Sequence, residues 1–388
     1  MPLLQGHHPA NGLSGYSDTF GPLSGLVYQA GVLPMPVLSV PRGIEDLTSE
    51  WLTAALSEVS DEARVENLVG VPIGNGNVAS SVRLIPDWDR PTPAPASVVA
   101  KVPSSQELSR ATGFATRTYE LEASFYNELA GTVWVNRPTC YLASFEPEQQ
   151  GYVVLLEDLG PSEPGDQIAG CSPEEAAGVM PELAALHAPR WGDPSLLDLD
   201  WLDRPTPEAA AAASGFISML YSGFVDRYEG RVEPEVLALS ERFMASLDGY
   251  LADRPHPWTV VHGDFRLDNL LFGGPRVVVV DWQTVKIGAA LSDVSYFIGS
   301  ALQPEDRRQH EANLVRSYYS FLTELGVSMP WGECWDGYRR YSFDGLLMAI
   351  AASMLVTRTE RSDEMFMAMV NRHGRQALDL GSEDYLTS

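Results

Sequence analysis

The densest run of chemically capable side chains is His262-Gly263-Asp264-Phe265-Arg266-Leu267-Asp268-Asn269, followed by valines 277–280 and Asp281-Trp282-Gln283. Successive valines read as a buried strand, so Asp281 is delivered at its end, where side chains meet a cleft. Asp264 and Asn269 stand five residues apart on the preceding loop. A carboxylate, a carboxamide and a second carboxylate gathered by one hairpin suit phosphoryl transfer, which is mostly positioning and charge stabilisation. Asp264 is placed to accept the proton of an attacking hydroxyl. Asn269 and Asp281 offer hard oxygen, which Mg²⁺ accepts while phosphate and water fill the rest of its shell.

Only two lysines, Lys101 and Lys286, stand against twenty-four arginines. Lysine is normally a common residue, so Lys101, inside the strand-like Ser97–Val102, asks for a role; the bland reading is a surface cation at a strand end. Lys286 has no reading beyond that. Gly74-Asn75-Gly76-Asn77-Val78-Ala79-Ser80 is a glycine-rich turn. A dinucleotide-binding fingerprint would need a helix next, yet Ser81–Ile85 alternates as a strand does. A phosphate-covering loop and a plain hairpin turn both fit.

The run H-G-D-x-x-x-x-N with a later D-W-Q resembles the aminoglycoside phosphotransferase and choline kinase superfamily, small-molecule relatives of the protein kinases. Glu122–Tyr126 (E-x-x-F-Y) and Leu155–Leu159 (L-L-E-D-L) look most like its ecdysteroid-kinase-like group. The resemblance implies an α+β, two-lobed protein-kinase-like fold, with a small antiparallel-sheet N-lobe and a larger, mainly helical C-lobe. It implies an ATP- and Mg²⁺-dependent enzyme that moves the γ-phosphoryl group of ATP to a hydroxyl of a small molecule. On that pattern Lys101 grips the phosphates and Glu122 pairs with it, Glu120 being a fallback that faces differently on the helix. Gly74, Asn75 and Gly76 cover the phosphates, and the main chain at Glu157 and Leu159 meets adenine. Asp264 and Arg266 are catalytic, and Asn269 and Asp281 hold the metal. Arg266 either neutralises charge on the transferring phosphate or forms an ion pair with Asp268. His262 and His187 brace the catalytic loop, and Asp293 tethers its backbone. The rival reading is an inactive pseudokinase that binds nucleotide or a partner; the presence of Lys101, Asp264, Asn269 and Asp281 weighs against it.

These residues need elements to carry them. Residues 1–40, rich in Gly, Pro and Ser, read as an extended lead-in. Thr48 caps a short helix, and strands follow at Val65–Val71, Val82–Ile85 and Ser97–Val102. A helix over 115–130 precedes strands near Thr139–Ser144 and Tyr152–Leu156. The N-lobe thus spans 41–160 and the C-lobe 161–388. In the C-lobe, Ser172-Pro173-Glu174-Glu175 opens a helix with a capping box. Helices are expected over 207–228, 233–251, 304–325, 335–360 and 362–378, with a strand pair at Thr259–Val261 and Val277–Val280. Helices across 205–255 and 335–380 should line a largely apolar acceptor site.

Composition sets the outer limits. The 388 residues carry a formal charge of −26. That repels nucleic acid and anionic lipid; the small-molecule partner is what the resemblance implies. Three scattered cysteines support no disulfide framework. Arg42 is the first basic side chain, so no secretory signal is expected and a cytoplasmic setting fits. The sequence says nothing about oligomeric state.

Overall fold

The computed structural model describes residues 38–74 and 78–386, so the expected lead-in falls almost wholly outside them. Thr48 Oγ1 accepts from Trp51 N–H at 3.1 Å and caps α1 (Ser49–Ala55), which turns Trp51 and Leu52 inward. β1 (Val65–Ile73), β2 (Ala79–Trp88) and β3 (Val98–Pro103) follow as a meander. After α2 (Glu107–Ala115) and α3 (Thr118–Ser124) come β4 (Cys140–Glu146) and β5 (Gly151–Glu157). The sheet runs β1-β2-β3-β5-β4, with every neighbouring pair antiparallel.

Strand alternation decides what this sheet presents. Val98, Ala100 and Val102 join Val153 and Leu155 in a core under α1. Lys101 therefore stands on the opposite face with Tyr152 and Val154, which pack towards Tyr119, Leu121 and Phe125. The single helix expected over 115–130 is broken. Arg117 adopts φ 60°, α3 starts afresh at Thr118, and Phe125–Leu129 widen into a π-turn. Arg117 is fixed there by Glu120 Oε2 at 2.7 Å, Asp203 Oδ1 at 2.6 Å and the Trp201 carbonyl at 2.7 Å.

The helical part begins after the short β6 (Glu163–Pro164), with α4 (Pro173–His187) opened by the expected capping box. α5 (Pro207–Arg227), α6 (Pro234–Ala245) and α7 (Leu247–Ala252) follow, Ser246 dividing the helix expected over 233–251. Four short strands come next: β7 (Thr259–Val261), β8 (Leu270–Phe272), β9 (Val278–Val279) and β10 (Lys286–Gly288). The chain ends in α8 (Ala290–Ala301), α9 (Pro304–Glu324), α10 (Trp331–Arg340), α11 (Ser342–Leu355) and α12 (Glu360–Asp379).

The strand pair expected from Thr259–Val261 and Val277–Val280 does not form. β7 pairs with β10, Val261 facing Lys286, while β9 pairs with β8, Val279 facing Leu270. The cause is local: Asp281 takes φ 71°, which ends the valine run and lets Lys286 rejoin β7 instead. α8 was not expected at all, because eleven of its twelve residues are buried and it turns no polar face to solvent. Among the described residues no helix is long and apolar enough to cross a membrane.

Candidate active site

Two clusters meet where the sheet faces the helical part. In the first, Lys101 Nζ donates to Glu122 Oε1 and Oε2, both at 2.7 Å, and to Asp281 Oδ1 at 2.8 Å. Glu122 is buried on α3 and also accepts from Tyr152 Oη at 2.6 Å. Burial alone would lower the pKa of the ammonium, but Asp281 and Glu122 overcome it and hold Lys101 above its ordinary value. Burial also opposes the ionised Asp281, and Lys101 reverses that, keeping the carboxyl below its usual range. Trp282 stacks on Phe125 at 3.9 Å between ring centroids and 8° between planes, so the residue after Asp281 is packed against the π-turn that extends the Glu122 helix. Glu120 is spent on Arg117 and takes no part.

The second cluster is the loop 262–269. Asp264 Oδ2 accepts from Arg266 Nε and from Asn269 Nδ2, both at 3.0 Å. Asn269 Nδ2 also donates to the Asp264 carbonyl at 2.9 Å, so the loop closes on itself. Arg266 Nη1 reaches Asp268 Oδ2 at 2.5 Å, so the guanidinium bridges both carboxylates and the two readings of Arg266 are not exclusive. Asp293 on α8 holds the loop backbone, accepting from His262 N–H at 2.7 Å and Gly263 N–H at 3.0 Å. Burial opposes that carboxylate, while His187 and these N–H groups keep its pKa low. His262 Nδ1 accepts from Asp264 N–H at 3.3 Å, which leaves Nε2–H to donate to the Val280 carbonyl at 3.1 Å. His262 thus braces the loop.

Gly263 explains itself. It has φ 83°, and a Cβ there would lie 2.6 Å from the Thr284 carbonyl oxygen. No larger residue fits that approach.

Elsewhere the expected residues are less engaged. Gly74 turns with φ 69°, and Asn75 and Gly76 lie outside the described residues. The far side of that turn is anchored, because Tyr119 Oη donates to the Val78 carbonyl at 2.6 Å. Glu157 N–H is bonded to the Thr139 carbonyl at 2.8 Å, and the Leu159 carbonyl closes a turn by accepting from Ser162 N–H at 2.9 Å. Between them Asp158 does what the sequence reading missed. It takes Arg83 Nε at 2.6 Å and Nη2 at 2.9 Å together with Ser97 Oγ at 2.7 Å, tying the segment after β5 to β2. Also missed were Tyr152, Gln167 and Tyr296. Gln167 Oε1 accepts from Leu267 N–H at 2.9 Å, and Tyr296 Oη donates to Asp264 Oδ1 at 2.7 Å. Tyr296 was lost with its helix, whereas Tyr152 and Gln167 had no local signal.

The comparisons agree with this layout. The model of the phosphotransferase enzyme family matches residues 114–325. A putative aminoglycoside phosphotransferase from Ralstonia eutropha JMP134 superposes with a TM-score of 0.52 at 18% identity, covering 84% of this chain and 97% of that one. Choline kinase from Cryptosporidium parvum Iowa II gives 0.53 at 11% identity, over 82% of this chain and 91% of that one. Both show the two-lobed, kinase-like fold. In sequence, human acyl-CoA dehydrogenase family member 11 is 29% identical over 140 residues, which is 34% of this chain and 16% of that protein's own length. These matches do not single out an ecdysteroid-kinase-like group. Since the family model takes in more than half of its residues, this chain belongs to the phosphotransferase enzyme family.

Proposed function

We propose that the chain is an ATP- and Mg²⁺-dependent kinase that phosphorylates a hydroxyl of a small molecule. The observation that carries this is the meeting of Lys101, Glu122 and Asp281 in one ion cluster beside the self-closed Asp264–Asn269 loop.

The donor set suits a hard divalent cation. Asn269 spends its amide hydrogens on Asp264, and among the described residues no hydrogen bond takes its Oδ1. Among the described residues Asp281 Oδ2 meets only Gln283 Nε2, at 3.2 Å. No three His, Cys, Asp or Glu side chains converge among the described residues, which fits Mg²⁺ held by few protein ligands plus phosphates. When bound, the ion neutralises phosphate charge.

The residues then divide the work. Lys101, oriented by Glu122, holds the nucleotide phosphates. Asp264 aligns the acceptor hydroxyl and takes its proton as the oxygen–phosphorus bond forms. The bond to the β-phosphate oxygen breaks, and ADP leaves. Arg266 keeps positive charge beside Asp264 and the incoming phosphoryl group. Met365 Sδ lies 3.1 Å from Arg266 Nη1, which brings an apolar side chain of α12 to the catalytic loop and supports an acceptor with apolar surface.

Calorimetry and an ATP-consumption screen over alcohols and aminoglycosides test the reading. Asp264→Ala should abolish turnover and spare ATP binding. Asp281→Ala should weaken Mg·ATP binding at least tenfold. Tight ATP binding with no metal dependence and no turnover on any acceptor would instead mark an inactive nucleotide-binding module.

A further inference from the structure

We infer that Tyr296 is a positioning residue for phosphoryl transfer: its phenol fixes Asp264 in the rotamer that leaves one lone pair of Oδ1 open for the hydroxyl being phosphorylated. This rests on reading Asp264 as the proton acceptor. A carboxylate offers about four hydrogen-bond sites, two on each oxygen. Oδ2 is filled, by Arg266 Nε and Asn269 Nδ2 at 3.0 Å each. Oδ1 accepts only from Tyr296 Oη, at 2.7 Å, among the described residues. One site therefore remains, on the oxygen that the phenol already holds.

Tyr296 is built to stay where it is. Asp293 and Tyr296 lie three residues apart on α8 and share a helix face. One helix face thus carries both the clamp on the loop backbone, through Asp293, and the clamp on its carboxylate, through Tyr296. Behind the phenol, the ring stands 5.3 Å from that of His373 on α12 and packs in the apolar cluster that holds Phe343 and Leu346 of α11. Burial and the neighbouring Asp264 raise the phenol's pKa well above its ordinary value. At neutral pH it is a donor, unable to take the acceptor's proton itself. The other groups facing this carboxylate are Arg266 and Asn269 from its own loop, while His262 meets the Asp264 backbone N–H; Arg361 of α12 stands 3.9 Å from Asp268.

Tyr296→Phe removes the hydroxyl and keeps the ring. Because the acceptor is unidentified, the probe is water: Mg²⁺-dependent ATP hydrolysis, with calorimetric ATP titration and thermal unfolding alongside. Water's oxygen joins the γ-phosphorus, its proton passes to Asp264, and ADP departs. The expected result is a fall in kcat of about 10- to 100-fold, as for one hydrogen bond to a charged group, with KM and Kd for ATP unchanged. Tyr228→Phe is the control. It deletes a comparable hydroxyl-to-carboxylate bond in the same helical core, Tyr228 Oη to Asp363 Oδ1 at 2.8 Å, and should keep wild-type kcat whatever it does to Tm. Rates are compared below all melting transitions, so a less stable variant is still read. A Tyr296→Phe enzyme within twofold of wild type, or a loss matched by Tyr228→Phe, overturns the inference alone. A wild type that neither binds nor hydrolyses ATP overturns the phosphotransferase reading and this inference with it.

Discussion

At the residue scale, one ammonium between two carboxylates is the most telling contact. Glu122 is 1% exposed, so a missing partner would leave a charge stranded in the interior. Removing one member of such a pair typically costs about 3–5 kcal/mol. Lys101→Met should therefore lower Tm and weaken ATP binding together. Adding Glu122→Gln should restore much of the stability but none of the ATP affinity, because Tyr152 can still bond the amide while no cation returns for phosphate. Restored affinity in the double variant would rule out a phosphate-holding role for Lys101. Arginine would not substitute, since its planar fork cannot converge on three oxygens as Nζ does. The scarcity of lysine singled out Lys101, and the kinase-like resemblance supplied Glu122 as its partner. Tyr152 and Asp158 were not, because their partners lie 30 and 75 residues away and nothing local announces them.

At the element scale, the loop 262–269 keeps its shape through backbone that only certain residues allow. Gly263→Ala meets both a left-handed φ and the Thr284 carbonyl. A loss of about 2 kcal/mol is expected, with a larger fall in turnover than in ATP affinity, because the strain enters next to Asp264. Equal turnover in the alanine variant would contradict this. The motif's linear spacing was readable without a structure, and so were the sheet strands and the α4 cap. The pairing of the short strands was not, since a two-residue β9 carries no register signal and Asp281's φ is invisible in sequence. α8 failed for the opposite reason: a helix buried on all sides looks like any apolar run. Its loss hid the best-placed tyrosine.

Across the whole molecule, the pH response joins distant parts. Burial opposes Asp158, but its bonds to Arg83 and Ser97 leave its pKa below the ordinary carboxylate value of 3.8. Its contribution is thus intact above about pH 4 and lost as pH falls through the lower folded value. His373 works earlier. Burial drops its pKa from 6.5 to about 4, so the unfolded chain binds the proton first and stability erodes as pH falls from about 6.5 to about 4. Melting curves over that range should show a slope that His373→Asn flattens, while Asp158→Asn should alter only the more acidic limb. An unchanged slope in His373→Asn would remove this histidine from the account. The scarcity of lysine has a practical consequence too. Lys286 is exposed, while Lys101 is locked in its ion cluster and stays protonated. An amine-acylating reagent should therefore leave Lys101 untouched while it modifies Lys286. The mass gained at residue 101 becomes a direct gauge of how often that cluster opens, readable by peptide mapping before any acceptor is known.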